Sequence, residues 1–190
     1  MGKSQHLKIK DLIPELKRIA GDNYVLDDQA DLLVYEYDGS IDRGNPVVVV
    51  LPGTTKEISQ VLKLARSNSI PVVARGAGTG LSGGAIAEQG GIVLSMARMN
   101  QILEVNRSDR YAIVEPGVVN LDLSTHVASE GLYYAPDPSS QRACTIGGNI
   151  AENSGGPHCL AYGVTTNHVL GMEVVLADGT ITWFGENERD

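Results

Sequence analysis

The chain has 190 residues, 42% of them hydrophobic and 20% charged, which is typical of a globular protein long enough to bury a core. Its formal net charge of −8 argues against nucleic-acid or anionic-membrane binding, because both need a basic surface. The sequence has no apolar run of the ~20 residues that span a membrane, and its start lacks the apolar core of a signal peptide, so we expect a cytoplasmic protein. Cys144 and Cys159 are too few for a disulfide framework or a four-cysteine zinc site, and no metal is expected.

Residues 1–45 are predicted to form a helical segment that is separable from the rest. Apolar residues recur at helical spacing over residues 11–20, and Gly21 suits a C-terminal cap. Asp27 or Asp28 could cap a second short helix before the turn-rich residues 37–45.

From residue 46 the pattern predicts strands alternating with helices. Residues 47–51 form an apolar run typical of a strand buried on both faces, and Thr54 with Glu57 makes a capping box for a helix that reaches residue 68. Residues 70–74 are expected to be the next strand, so the three elements predict a βαβ unit with a right-handed crossover. Ligands of such layers bind at the carboxyl ends of the strands.

Further strands are predicted at residues 92–95, 102–106 and 111–115. Asn120 is expected to cap a helix that ends at Gly131, and residues 170–184 are expected to form a β-hairpin around Asp178 and Gly179.

A glycine-rich loop follows the second predicted strand, and five of the fifteen residues from 71 to 85 are glycine. Glycine tolerates positive φ and lets successive N–H groups point at one anion, so the loop predicts a phosphate or diphosphate site. Arg75 could add charge at the mouth of the loop, and Thr79 and Ser82 supply hydroxyl donors. A glycine-rich turn without a ligand is the alternative.

The same residues also fit two familiar motifs, G-x-G-x-x-G at 78–83 and G-x-S-x-G at 80–84. Both motifs require a helix directly after the loop. Only residues 85–89 separate the loop from Gly90, so the sequence disfavours a dinucleotide fold of that type and a serine hydrolase that uses Ser82.

A second informative segment covers residues 136–163, which are rich in Gly, Ser, Thr and Asn and lack apolar periodicity. Loops this long are usually functional or disordered, and the few charges and many small residues argue against disorder. Residues 145–149 and 153–156 are predicted to be two glycine turns whose backbone passes close to a flat polar ligand. A loop shaped by turn chemistry alone is the alternative.

Together, the two segments resemble the FAD-binding domain of the vanillyl-alcohol oxidase and p-cresol methylhydroxylase superfamily. The resemblance is carried by Arg-Gly-Ala-Gly-Thr-Gly-Leu-Ser-Gly-Gly at 75–84, Pro-Asp-Pro-Ser-Ser at 136–140 and Thr-Ile-Gly-Gly-Asn-Ile-Ala-Glu-Asn-Ser-Gly-Gly at 145–156. It spans residues 22–179 and is nearest to the FAD-linked subunits of glycolate oxidase and to D-2-hydroxyacid dehydrogenases.

This resemblance implies an α+β fold of the PCMH type, with two α+β subdomains and FAD stretched between them. Residues 46–190 would be a partial FAD-binding domain, incomplete at the C-terminus, and the substrate domain of the family would be absent. The implied reaction oxidises a 2-hydroxy acid of the glycolate or D-lactate type to a 2-oxo acid by hydride transfer to the flavin, with electrons passing to a separate acceptor or partner subunit. The alternative is a non-catalytic flavin-binding or interaction module.

By resemblance, the diphosphate loop comprises Arg75, Gly76, Ala77, Gly78, Thr79, Gly80, Leu81, Ser82, Gly83 and Gly84. The flavin and its ribityl chain would be lined by Pro138, Thr145, Gly147, Gly148, Asn153, Gly156 and Gly163.

Noncovalent FAD is expected, and the chain alone is expected to be inactive. Thr79 stands where some relatives attach FAD through His, and Ala143 stands where others use Cys, with Cys144 one residue later. The catalytic base and the metal ligands of the family would lie in the missing half, so neither His158 nor His168 is assigned a catalytic role.

Overall fold

The computed structural model describes residues 9–185, which fold into two compact units. The first unit contains the described residues up to Arg98 and those from Gly171 onward, and the second unit contains Met99–Leu170. Each unit combines helices with strands, as the predicted α+β class requires. Within residues 9–185, no helix combines the length and the apolar character needed to cross a membrane.

The first unit begins with short helices. Helix α1 (Ile13–Ala20) ends as predicted at Gly21, whose φ is 94° and whose N–H donates to the carbonyl of Lys17. Strand β1 (Val25–Leu26) follows, and helix α2 (Gln29–Leu32) is capped by the Asp28 carboxylate, which accepts the Ala30 N–H at 2.9 Å. A 3₁₀ turn (Leu33–Tyr35) extends it.

A four-stranded sheet forms the centre of this unit. Its strands are β1, β2 (Val48–Val50), β3 (Val72–Arg75) and β4 (Ile92–Ser95), and their order is β1-β2-β4-β3. Helix α3 (Thr55–Ser67) connects β2 to β3, which run parallel as the predicted βαβ unit requires. However, β2 and β3 are not neighbours, because β4 lies between them and pairs with both.

Both faces of the sheet are covered. Because successive residues of a strand point to opposite faces, Val48 and Val50 pack in a cluster with α1 and α3, while Val49 packs in another with Leu32 and Ala87. Residues of the leading segment thus lie in both clusters, and β1 pairs with β2. The predicted domain boundary at residue 45 stays a prediction. The described residues before it are packed on the sheet.

Only one of the two hydrogen bonds of the predicted capping box of α3 forms. Thr54 Oγ1 accepts the Glu57 N–H at 3.2 Å, whereas the Glu57 carboxylate accepts the N–H of Gly53, at 2.8 Å, instead of that of Thr54. The helix ends at Ser67 with Asn68 as its C-cap, one residue before the predicted end.

The predicted hairpin consists of β7 (Gly171–Val175) and β8 (Ile181–Gly185) and belongs to the first unit. It is attached to α3, because Ser59 Oγ donates to the Gly179 carbonyl at 2.5 Å and Thr55 Oγ1 donates to the Glu173 carboxylate at 2.6 Å.

The second unit contains the antiparallel pair β5 (Ile102–Asn106) and β6 (Tyr111–Val114), followed by helix α4 (Asn120–Val127). Helices α5 (Ile146–Glu152) and α6 (Cys159–Tyr162) come later in this unit. Its core contains Val118, Leu123 and Ile146.

The prediction that Asn120 caps α4 is wrong. Val119 holds the N-cap position, and Asn120 is buried with its side-chain amide donating to the Pro136 carbonyl at 3.0 Å. Gly131 ends the 3₁₀ turn after α4 in the left-handed conformation, with φ of 73°, as predicted.

Candidate functional site: two glycine-rich segments

The glycine loop, residues 76–84, leaves the end of β3 in the first unit. Residues 76–91 contain no helix before β4 begins, which confirms that the dinucleotide and serine-hydrolase motifs lack the helix they need. Positive φ occurs at Gly78 (69°) and Gly83 (76°), so the backbone reverses at two separate points instead of at consecutive residues.

The backbone of this loop presents donors that make no hydrogen bond within residues 9–185. Among the hydrogen bonds of the described residues, the N–H groups of residues 77–81 donate none. A Cβ built on Gly80 would meet no atom within 4 Å, so the space beside this residue is open. Adjacent free N–H groups beside open space are what an oxyanion needs to bind backbone, and this region therefore fits a diphosphate.

The Arg75 guanidinium does not stand at the mouth of the loop, because the side chain is 7% exposed. It lies 5.6 Å from the centre of the Tyr35 ring, and it donates to the carbonyls of Val34 (3.3 Å) and Ala85 (3.4 Å). A Cβ on Gly78 would come within 2.2 Å of its Nη2 atom. Burial lowers the pKa of Arg75, and the charge of Asp38 opposes that shift. Arg75 therefore packs beneath the loop in the protein interior. Its contact with a diphosphate stays a prediction.

A turn of the leading segment, residues 37–45, contacts the glycine loop. The turn was predicted from the sequence, but this contact was not. A Cβ on Gly39 would lie 2.7 Å from the carbonyl oxygen of Gly80 and 2.8 Å from that of Thr79. Gly44 packs equally closely on the backbone of Ala87. The Asp-Gly-Ser and Arg-Gly-Asn sequences indicate a turn, but no local pattern indicates that this turn packs on the glycine loop.

Asp38 lies inside this turn with 8% of its surface exposed. Its Oδ1 accepts the Ser40 N–H at 2.7 Å, while its Oδ2 is buried and unpaired among the described atoms. Burial raises the pKa of Asp38, but the hydrogen bond from Ser40, the nearby backbone of Ala85 and the charge of Arg75 outweigh it, so the pKa is lowered overall. The carboxylate is therefore the charged form in this environment.

The second segment, residues 136–163, lies in the second unit and differs from its prediction. Residues 145–149 are not a glycine turn but the start of α5, because Thr145 Oγ1 accepts the Gly148 N–H at 3.3 Å and caps the helix. Gly147 and Gly148 are helical residues. Asn153 ends the helix with φ of 49°, and its Oδ1 accepts the Thr166 N–H at 3.0 Å.

Most glycines predicted to line the flavin here are in close contact with the protein itself. A Cβ on Gly156 would lie 2.1 Å from the Asp137 carbonyl oxygen, and one on Gly147 would lie 2.7 Å from Pro116 Cβ. Gly163 has φ of 81°, and a Cβ there would lie 2.5 Å from the Asn167 side chain. Gly148 is less crowded, with its nearest neighbour, Thr145 Oγ1, at 3.3 Å from the Cβ position.

The second segment also forms an acid–imidazole pair that sequence reasoning missed. His158 Nδ1 lies 2.5 Å from Asp137 Oδ2, and this hydrogen bond is the main reason that the pKa of Asp137 is lowered. The pair borders a cavity of about 340 Å³. The cavity is lined by Leu121, Ser124, Tyr133, Tyr134, Ala135, Asp137, Gln141, His158 and Tyr162. Two further contacts join the same segments: Gly156 packs closely on Asp137, and the His158 N–H donates to Asp137 Oδ1 at 3.4 Å.

A family model described as "FAD binding domain" matches residues 46–185. The match covers the glycine loop and the second segment together. It supports the cofactor that the resemblance implies.

Curated relatives point to the same family. The chain is 48% identical over 167 residues to glycolate oxidase subunit GlcD of Escherichia coli K12, which covers 87% of this chain and 34% of that protein. It is 48% identical over 134 residues to a D-lactate dehydrogenase of Archaeoglobus fulgidus, which covers 70% of this chain and 30% of that protein. The chain therefore spans about a third of the length of these relatives.

A solved structure agrees in fold. The chain superimposes on p-cresol methylhydroxylase with a TM-score of 0.80 at 22% identity, over 96% of this chain and 36% of that one. This likeness confirms the predicted PCMH-type α+β architecture.

Proposed function

We propose that this chain, which belongs to the FAD-binding domain family, binds FAD through its glycine loop as part of a flavoprotein that oxidises a 2-hydroxy acid to a 2-oxo acid. The observation that carries the proposal is the row of N–H groups at residues 77–81 that make no hydrogen bond to the described residues, beside the open space at Gly80. A diphosphate has the charge and the acceptor oxygens to match them.

The substrate class follows from the relatives. Glycolate and D-lactate, the compounds named in two of them, are both 2-hydroxy acids. Because the chain spans about a third of their length, the oxidation is proposed for the whole flavoprotein and the cofactor site for this chain.

FAD bound here would supply the hydride acceptor for the oxidation at C2 of the hydroxy acid. The residues of this chain have the separate task of holding the cofactor. The backbone of residues 77–81 binds the diphosphate, and the missing side chain at Gly80 lets it approach. We assign no catalytic base to this chain.

We propose that the FAD is held noncovalently. Thr79 and Ala143, at the two positions where the resemblance expects a covalent link, cannot form the usual histidyl or cysteinyl bond. The nearby Cys144 thiol is buried, with 5% of the residue exposed. A cytoplasmic location and a separate electron acceptor or partner subunit complete the proposal.

The test is a titration of the purified chain with FAD, followed by absorbance and flavin fluorescence, with acid precipitation at the end. We expect a flavin spectrum on the protein that is released into the acid supernatant. Gly80→Ala should weaken FAD binding by at least about tenfold, because its methyl group occupies the space of the approaching diphosphate.

Two results would contradict the proposal. One is a chain that takes up no FAD, and the other is a Gly80→Ala variant that binds FAD as the parent chain does. Yellow colour that stays with the precipitate would contradict noncovalent binding alone. We also expect no oxidation of glycolate or D-lactate with a dye acceptor, and turnover by this chain would overturn that expectation.

A further inference from the structure

The turn at residues 37–45 packs directly on the backbone of the glycine loop. The Cβ position of Gly39 lies within 2.8 Å of two carbonyl oxygens of the loop, those of Thr79 and Gly80. Such distances are shorter than real Cβ contacts, so the turn and the loop meet backbone to backbone. A shift of the turn must therefore move the part of the loop that presents its N–H groups.

Buried charge connects the same two segments. Arg75, at the end of β3, donates to Val34 on the leading segment and to Ala85 just after the loop. Asp38 supplies an opposite charge from the turn, and less than a tenth of the surface of each residue is exposed. A buried charge that loses a nearby opposite charge is disfavoured, so we expect loss of the Asp38 charge to weaken the hold of Arg75 on this position.

We propose that Asp38 and the turn at residues 37–45 form a positioning element that fixes the glycine loop in the conformation that receives the FAD diphosphate. This inference rests on the proposed function. Asp38 acts through Arg75 and through the backbone contact at Gly39, and it does not touch the cofactor. The leading segment is thereby part of the cofactor site.

Asp38→Asn tests this role, because it keeps the size of the side chain and the acceptor for the Ser40 N–H but removes the charge. We expect amide hydrogen exchange at Asn45 and Ile86, whose N–H groups donate to the carbonyls of Ala87 and Gly83 where the turn meets the loop, to become about tenfold faster. Exchange in β2 and β4 should not change. If the competent loop conformation falls to about a tenth of its population, the dissociation constant for FAD rises about tenfold.

Asp31→Asn is the matched control, since it removes the same charge from an exposed residue of α2. It should leave both measurements at their parent values. Gly39→Ala is the second variant, because it crowds the loop carbonyls without changing any charge, and φ at this residue is not positive. It should loosen the loop in the same way, and it decides the question if Asp38→Asn does not fold.

Exchange at these two amides and FAD affinity that stay at the values of the Asp31→Asn control in both test variants would overturn the inference. Failure of the parent chain to bind FAD would overturn the proposed function instead. The exchange comparison is made without FAD, so it still decides whether Asp38 positions the loop.

Discussion

The two glycine-rich segments use glycine for different physical reasons. In the glycine loop, Gly80 borders open space and the N–H groups of residues 77–81 make no hydrogen bond to the described protein. In the second segment, Gly147 and Gly156 are packed against backbone or proline atoms, and the N–H of Gly148 is bonded to its helix cap. Similar composition thus produces a backbone open to a ligand in one unit and a tightly packed support in the other.

The largest effect on stability is expected for Gly156→Ala. Its methyl group would lie 2.1 Å from the Asp137 carbonyl oxygen, where backbone has to move, and we expect the free energy of unfolding to fall by about 3 kcal/mol. Urea denaturation monitored by circular dichroism measures it. Gly148→Ala is the control in the same segment and should be close to neutral, since alanine favours the helix. Equal effects of the two variants would contradict the packing role of Gly156.

A smaller loss is expected when the cap of α5 is removed. Thr145→Ala deletes the oxygen that accepts the Gly148 N–H and should cost about 1 kcal/mol, whereas Thr145→Ser should restore most of it. Thr79→Ala is the counterpart in the glycine loop, where the described structure shows no side-chain hydrogen bond for Thr79. Its unfolding free energy should not change. A Thr79→Ala variant that unfolds as easily as Thr145→Ala would remove the contrast between the two segments.

The Asp137–His158 pair predicts a modest dependence on pH. Its hydrogen bond lowers the pKa of Asp137 below the ordinary value of 3.8, so the folded chain binds this proton less readily than the unfolded chain. The contribution to stability is therefore complete above pH 3.8 and is lost as the pH falls through the lowered pKa. Melting temperatures measured from about pH 6 to pH 3 should decline less steeply for Asp137→Asn than for the parent. Parallel curves would show that the pair does not stabilise the fold.

No loss of stability is expected for Gly80→Ala. The Cβ position is free of neighbours and φ is not positive, so the unfolding free energy should stay equal or rise by about 0.5 kcal/mol. Thermal unfolding without FAD measures it. A clear loss of stability would mean that the open space at Gly80 closes in solution, and any loss of FAD affinity could then no longer be assigned to the ligand.

Features that depend on neighbouring residues were predictable from the sequence. The Asp28 cap, the ends at Gly21 and Gly131 and the absence of a helix after the glycine loop all follow from residues within one or two turns of the feature. The similarity of both segments to one family was also correct, since it rests on ordered residue patterns. The individual cofactor contacts stay predictions.

Features that depend on distant partners were not predictable. Helix α5 was missed because two glycines weaken its helical signal, and its cap at Thr145 has no nearby acidic partner to identify it. Asn120 has the residue type of a cap, but its amide is bonded to Pro136, sixteen residues away. The burial of Asp38 against the charge of Arg75 joins positions 37 residues apart, and no local pattern carries that information.

The position of β4 has a consequence for the order in which the first unit can assemble. Since β4 lies between β2 and β3, and β3 pairs within the described structure with β4 alone, β3 cannot join the sheet before the strand that follows it in the chain. The glycine loop connects these two strands, and both of its ends become fixed in the same pairing event. We therefore expect the loop to take its final shape as the sheet closes, so that cofactor binding and completion of this fold are coupled steps in the maturation of the protein.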